Sequence, residues 1–210
     1  MKTIWGQTQH HHKLAGGVYE VDTASHGGII VSTKVADRYL SHLAKEIAGE
    51  PKYGYYHFEE DCDWAVFAYE NLTIVRVEMR KYYMESLKRW NSDYLYKKQM
   101  EEYVLKTLTR ELTDKLQLSQ ETIRQIVRQF LEGTPKQQRY FIDEFDIDSI
   151  RVCDHCGKLM HEGYMVEDFN TYCSETCVKA GEKWTEETFQ ENISHAEEND
   201  AIIFYTQWEY

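Results

Sequence analysis

Hydrophobic and polar residues alternate along residues 17–32, and β-branched residues flank the sequence Ser25-His26-Gly27-Gly28. This pattern predicts two short strands joined by a glycine-rich turn. Beyond it, Thr33 is a suitable N-cap for one helix of about 15 residues that ends at Gly49. Its apolar face contains Val35, Tyr39, Leu43 and Ile47. Residues 51–56 are predicted to form a turn and residues 60–70 a further helix, because acidic residues favour a helix N-terminus.

Residues 72–145 have the apolar spacing of helices over most of their length. Repeats of three to four residues join Met79, Tyr83 and Leu87, and then Tyr96, Met100, Val104 and Leu108. Ser119 is a suitable N-cap for a helix over 120–131, and Pro135 is expected to begin another over 135–145. We therefore expect three or four helices, joined by short loops and packed as antiparallel neighbours.

Residues 148–182 differ from this helical region because they contain spaced cysteines and turn residues. Residues 158–172 are long enough for a β-hairpin with its turn near Glu167-Asp168. A Glu-rich helix is predicted over 185–197, and a strand over 202–208 that can pack back on the hairpin. The predicted fold class is α+β, with a small mixed domain (1–75), a helical region (76–147) and a zinc-binding module (148–210).

Composition supports a folded protein, since 42% of the 210 residues are hydrophobic and 29% are charged. No segment approaches the run of about 18 apolar residues that crosses a bilayer. The first residues, MKTIWGQTQHHHK, lack the apolar core of a secretory signal. We therefore expect a protein of the bacterial cytoplasm that does not bind membranes.

The net charge of −12 is unevenly distributed along the chain. Residues 76–140 contain 14 Lys/Arg and 9 Asp/Glu, whereas residues 148–210 contain 4 Lys/Arg and 14 Asp/Glu. A basic middle region therefore lies between acidic ends. Such asymmetry bears on binding partners more than on the fold.

Four of the five cysteines follow the pattern Cys153-x2-Cys156-x16-Cys173-x3-Cys177. Two close pairs can supply the four soft ligands of a tetrahedral zinc ion, and Gly157 suits the tight turn of a zinc knuckle. We predict one structural Zn²⁺ held by these four sulfurs. The alternatives are four ordinary thiols, or a site in which His155 or His161 replaces one sulfur.

No residue pattern predicts an enzyme. Four thiolates leave zinc no open position for water or substrate, and a zinc-dependent enzyme would need one. Cys62 lies between Asp61 and Asp63, which should raise its pKa, so it is interpreted as a packing residue. His10-His11-His12 is interpreted as a polar turn rather than a metal site or tag remnant. The Ser25–Gly28 segment is interpreted as a hairpin turn rather than a nucleophile beside a base.

Basic residues and aromatic rings are mixed in the middle region. Lysine and arginine can hold phosphates while aromatic rings stack on unpaired bases, so this mixture can bind RNA or single-stranded DNA. The alternative is a solvated helix face. The candidate contacts are Arg76, Arg80, Lys81, Lys88, Arg89, Lys97 and Lys98, among Tyr82, Tyr83, Trp90, Tyr94 and Tyr96.

Two stretches carry resemblances to known families. Ser25–Ile29 (SHGGI) with Glu59–Ala65 (EEDCDWA) is similar to an uncharacterised domain of phages, plasmids and conjugative elements. The segments CDHCGKLMHEGY, YCSETC and FYTQWE resemble small zinc-binding proteins of phages and gut-bacterial mobile elements, with a treble-clef or zinc-ribbon scaffold. These resemblances imply an accessory protein of a mobile element.

The predicted function follows from that context and from the charges. We expect a non-enzymatic inhibitor of anti-CRISPR or antirestriction type, whose acidic surface binds a host nuclease, CRISPR effector or other ribonucleoprotein complex. An acidic face that only promotes solubility is the simpler alternative. A second hypothesis is direct binding of RNA or DNA by the basic helices.

Overall fold

Helices and sheets are mixed, as predicted, in the computed structural model, which describes residues 1–167, 170–196 and 201–208. The chain divides into two compact units, Met1–Gln99 and Met100–Tyr210. The sequence predicted a division of the chain into three regions, with boundaries at residues 75 and 147. It is not tested by these units and stays a prediction.

The first unit contains a four-stranded antiparallel sheet in the order β3-β4-β5-β6. The predicted hairpin is confirmed as β4 and β5, in which Asp22 pairs with Gly27. The interpretation of His10–His12 as a turn was wrong, because these residues begin β3. The turn predicted over residues 51–56 is shorter in the structure, because β6 begins at Tyr55. The strands of this unit are β1 (Lys2–Thr3), β2 (Gly6–Gln7), β3 (His10–Ala15), β4 (Val18–Asp22), β5 (Gly27–Ser32) and β6 (Tyr55–Glu59).

The helix predicted from Thr33 to Gly49 is two helices in the structure. Leu40 is extended (φ −126°, ψ 123°), and Ser41 caps the second helix by accepting a hydrogen bond from the Ala44 N–H. Thr33 is not the cap, since the first helix begins after Val35. The helices of this segment and the next are α1 (Ala36–Tyr39), α2 (His42–Ala48), α3 (Trp64–Glu70), α4 (Val77–Arg80) and α5 (Tyr83–Trp90).

Further helices follow, as predicted for residues 72–145. These are α6 (Ser92–Leu116), α7 (Gln120–Leu131) and α8 (Pro135–Glu144). The predicted N-cap Ser119 is confirmed, and Thr134 forms a capping box with Gln137 just before Pro135. Buried side chains of α6, α7 and α8, including Leu108, Val127 and Ile142, form one core with Ile147 and Ile150.

The cysteine-containing segment consists of short strands and two helices. Its antiparallel sheet has the order β10-β9-β11, so the last strand packs back on the hairpin, as predicted. Asp168 of the predicted turn and residue 197 of the predicted helix lie outside the described residues. The elements are β7 (Arg151–Val152), β8 (Leu159–Met160), β9 (Glu162–Val166), β10 (Asn170–Tyr172), α9 (Glu175–Glu182), α10 (Glu186–Ser194) and β11 (Ile203–Gln207).

Membrane insertion through a helix finds no support in this fold. Within the described ranges, no helix combines the length and the apolar character that crossing a bilayer requires.

Candidate metal centre

The sulfur atoms of Cys153, Cys156, Cys173 and Cys177 all lie within 4.8 Å of one another. The Sγ atoms of Cys156 and Cys173 are 3.5 Å apart, and those of Cys173 and Cys177 are 3.6 Å apart. A disulfide bond would bring two sulfurs to about 2.05 Å, so these are free thiols arranged around a common point. The cluster predicted from spacing is therefore present, and it can hold a metal ion.

A tight turn between β7 and β8 places the first cysteine pair. The Cys153 N–H donates to the Lys158 carbonyl (2.9 Å), and the Gly157 N–H donates back to the Cys153 carbonyl (3.0 Å). Gly157 has φ +75°, and a Cβ added there would lie 2.7 Å from Cγ of Pro135. Both the left-handed backbone and the lack of space therefore require glycine at this position.

The second pair comes from the end of β10 and the first turn of α9. The Ser174 hydroxyl caps α9 by accepting from the Cys177 N–H at 3.3 Å, as predicted.

Hydrogen bonds join the two halves of the site. The Asp154 N–H donates to the Thr171 carbonyl (2.8 Å), and the Thr171 N–H donates to Oδ2 of Asp154 (2.7 Å). Helix α8 adds Arg139, which donates to the carbonyl of Cys153 at 2.7 Å. The turn and the hairpin are thus held in register by bonds that do not involve sulfur.

The pKa of Cys153 is shifted in the opposite direction to those of Cys156 and Cys173. Burial raises the pKa of Cys156 and of Cys173. At Cys153 burial acts in the same direction, but hydrogen bonds donated to its sulfur by the backbone N–H groups of Cys156, Cys173 and His155 lower the pKa overall. Donors that converge on sulfur favour the thiolate, which is the form that binds metals.

The alternative ligands and the fifth cysteine lie outside this cluster. His155 and His161 are not among the grouped metal-ligating atoms, and the ring of His161 stacks on Tyr103 with centroids 4.4 Å apart. The pKa of Cys62 is raised to about 12, first by burial and then by its hydrogen bond to Glu59. Its high pKa makes Cys62 a weak nucleophile. Burial raises this pKa more than the neighbouring carboxylates do, whereas the prediction from the sequence rested on the carboxylates alone.

Three of the seven candidate nucleic-acid contacts are engaged within the protein. Arg76 pairs with Glu20, Arg80 donates to the carbonyls of Thr73 and Val75, and Lys98 lies 3.3 Å from Glu70. The other four are exposed. They are Lys81, Lys88, Arg89 and Lys97.

The aromatic residues predicted beside these cations divide in the same way. Tyr94 is buried and donates to Glu70, and Tyr83 packs against Tyr69. Tyr82 and Trp90 are exposed. Sequence spacing could not separate the two sets, because the contacts that bury a side chain come from distant residues.

The fold and the site together define an α+β protein with a four-cysteine cluster that can hold a metal ion. A family model, described as a domain of unknown function (DUF7007), matches residues 1–132. Because this match covers more than half of the chain, the protein belongs to that family, and the predicted resemblance to an uncharacterised domain is confirmed. The match ends before Cys153. No curated protein and no solved structure matches the chain.

Proposed function

We propose that the four cysteines hold one structural zinc ion. With zinc–sulfur bonds of about 2.3 Å, a tetrahedral site has sulfur–sulfur edges of about 3.8 Å. The observed separations of 3.5 and 3.6 Å are close to this value. Four sulfurs complete the coordination shell, so the ion acts by stabilising the turn, the hairpin and α9 rather than by activating water.

We infer that the protein is a non-enzymatic interaction protein that inhibits a nucleic-acid-handling complex of a bacterial host, of anti-CRISPR or antirestriction type. The observation that carries this proposal is the surface of the zinc module. Among the described residues from Asp148 onward, every Asp and Glu is exposed or half-buried. A rigid surface of this charge can occupy a basic groove that otherwise binds nucleic acid.

Charge reversal on α10 tests this proposal. Expression of the protein in a bacterium that restricts phage by a CRISPR or restriction system should relieve restriction, and the effector should co-purify with it. Replacing Glu187 and Glu191, both exposed, by lysine should reduce relief at least tenfold, because the surface would repel a basic groove.

The matched control is the same double reversal at Glu78 and Glu85, which are exposed in the first unit. It should retain relief. Unchanged restriction with the unaltered protein, together with no co-purifying nuclease or ribonucleoprotein, would show that the inhibitor proposal is wrong.

A second candidate function is direct binding of RNA or single-stranded DNA by the helices after residue 76. Two cation–ring pairs favour it: Lys81 lies 4.8 Å from the ring centre of Tyr82, and Arg89 lies 4.8 Å from that of Trp90. Both rings are more than half exposed, at 52% and 55%. An exposed ring beside a cation can stack on a base while the cation meets a phosphate.

Replacing the four exposed cations by glutamate should abolish retention on single-stranded nucleic acid at low salt. The set is Lys81, Lys88, Arg89 and Lys97. Filter binding with labelled RNA and DNA measures the effect, and a steep salt dependence is expected for the unaltered protein. A control with the same charge change uses Lys2, Lys13, Lys34 and Lys52, which are exposed and lie outside residues 76–140. Equal loss of retention in both variants would show that binding depends only on general electrostatic attraction. That result would refute a specific binding surface.

A further inference from the structure

A second group of metal-ligating side chains lies in the first unit. One ligand atom from each of His26, Glu59 and Glu60 lies within 4.8 Å of the other two. His26 comes from the turn before β5, Glu59 is the last residue of β6, and Glu60 follows it. We propose that these three residues bind a divalent transition-metal ion, through one imidazole nitrogen and two carboxylate oxygens.

The close approach of the two segments depends on the glycines that follow His26. Gly28 pairs with Glu59 in the sheet and has φ +154°. A Cβ added at Gly28 would lie 2.2 Å from the carbonyl oxygen of Phe58, and one at Gly27 would lie 2.8 Å from Oε2 of Glu60. A side chain at Gly28 would therefore push β5 away from β6, which carries Glu59.

Each carboxylate has one oxygen held by a backbone N–H, while its other oxygen accepts no N–H hydrogen bond from any residue that the structure describes. Oε1 of Glu60 accepts from the Gly27 N–H at 2.9 Å. Oε2 of Glu59 accepts from the Asp61 N–H at 2.9 Å and from the Cys62 thiol at 3.3 Å, and Oε1 of Glu59 lies 3.6 Å from Nδ1 of His26. Both carboxylates are thus oriented before any ion binds, which lowers the entropic cost of binding.

The turn that carries His26 is fixed in a similar way. The His26 N–H donates to the hydroxyl of Thr23 (3.2 Å), and the same hydroxyl donates to the His26 carbonyl (2.7 Å). The hydroxyls of Thr23 and Ser25 also lie 3.3 and 3.4 Å from the carbonyl oxygen of Trp5. The imidazole is therefore presented from a constrained loop.

The charges around the group favour a cation. Glu59, Glu60, Asp61 and Asp63 lie within five consecutive residues, and over residues 1–99, all of which are described, no lysine or arginine pairs with Glu59 or Glu60. A divalent ion would offset the repulsion between the carboxylates. Imidazole together with carboxylates suits Zn²⁺, Mn²⁺, Fe²⁺ or Ni²⁺.

Solvent can reach this group. The side chain of His26 is 56% exposed, and three protein ligands leave coordination positions for water or a small ligand. The site therefore differs in kind from the four-cysteine centre, whose ligands are complete. This inference does not rest on the proposed inhibitor function.

Metal titration of the full-length protein tests the second site. Zinc is first added to one equivalent to fill the cysteine site, and Mn²⁺ is then titrated by calorimetry and followed by electron paramagnetic resonance, because thiolates bind Mn²⁺ poorly. The background carries His10→Gln, His11→Gln and His12→Gln, since these exposed histidines on β3 could bind metal themselves. One equivalent of Mn²⁺ should bind.

Ligand variants decide the assignment. His26→Ala and Glu59→Gln should each weaken Mn²⁺ binding at least tenfold while the zinc content stays at one. The matched control is His42→Ala, because His42 also lies near a carboxylate, 3.2 Å from Glu46, but has no third ligand. Absence of Mn²⁺ binding, or equal affinity in His26→Ala and His42→Ala, would overturn the proposal. The melting temperature of each variant confirms folding.

Discussion

Replacing Cys173 with serine is expected to abolish zinc binding and to unfold the segment from Cys153 to Trp208. Among the described residues, the core of this segment contains nine buried hydrophobic residues, and two of them, Cys153 and Cys177, belong to the four-cysteine cluster. Structural zinc sites in small peptides contribute about 10–16 kcal/mol of apparent binding free energy. A core of this size cannot replace that contribution, so loss of the ion should be loss of the local fold.

Cys62→Ser is the matched control for this substitution. Cys62 is half-buried and lies outside the cluster, so the same exchange of sulfur for oxygen should leave both the zinc content and the fold unchanged. Elemental analysis should give one zinc per chain for the unaltered protein and for Cys62→Ser. For Cys173→Ser it should give nearly none.

Limited proteolysis locates the unfolding. In Cys173→Ser, or after a chelator is added, cleavage should begin beyond Cys153 while the helices that contain Leu108, Val127 and Ile142 stay protected, because their core is separate. Protection of the C-terminal segment without zinc would contradict a metal-dependent fold. Uniform cleavage of the whole chain would contradict the separation of the two cores.

The cysteine centre could be predicted almost completely from the sequence, because its information is local. The spacing of Cys153 and Cys156 and the following Gly157 specify a tight turn, and Ser174 specifies the helix that carries Cys177. Ser119 and Thr134 are local signals of the same kind, and both cap helices. In each case the residue contacts a neighbour within four positions.

Features that depend on distant residues were missed. The break at Leu40 is stabilised by Ser41, whose N–H donates to Glu70 at 2.8 Å across 29 positions. The strand at His10–His12 is exposed, so it has no alternating pattern, and only pairing with β4 holds it. His26 is 33 positions from Glu59 and 34 from Glu60 in the sequence, and only the sheet register brings these residues together.

The two candidate metal centres place different demands on the chain. The cysteine segment has a small core that includes Cys153 and Cys177, so with the proposed zinc bound its fold and its metal would be coupled. The turn at His26 belongs to a unit with a larger core, which includes Val31, Phe58 and Phe67. Removal of metal should therefore unfold the cysteine segment but leave His26, Glu59 and Glu60 close together. The proposed second site is thus suited to reversible binding.

Glu111→Ala is expected to destabilise the second unit by about 3 kcal/mol, the size typical of removing one partner from a buried polar network. Glu111 is fully buried in α6. Its carboxylate accepts from the hydroxyl of Ser149 (2.8 Å) and from the Asp148 N–H (3.3 Å), and it lies 3.3 Å from the amine of Lys115. The substitution leaves the Ser149 hydroxyl and the Asp148 N–H without this acceptor and opens a cavity, whereas Lys115 still donates to the carbonyls of Phe145 and Asp146.

Glu111→Gln and Ser149→Ala separate the contributions. Glutamine keeps the volume and one acceptor oxygen, so its cost should be smaller, about 1–2 kcal/mol. In the double variant Glu111→Ala with Ser149→Ala, the total cost should be less than the sum of the single costs, because Ser149 no longer has a hydroxyl to leave unsatisfied. Hydrogen exchange at the amides of α6 and α8 measures each free energy. Additive costs would show that Ser149 and Glu111 are not coupled, and would contradict the role of this carboxylate in holding Asp148 and Ser149 against α6.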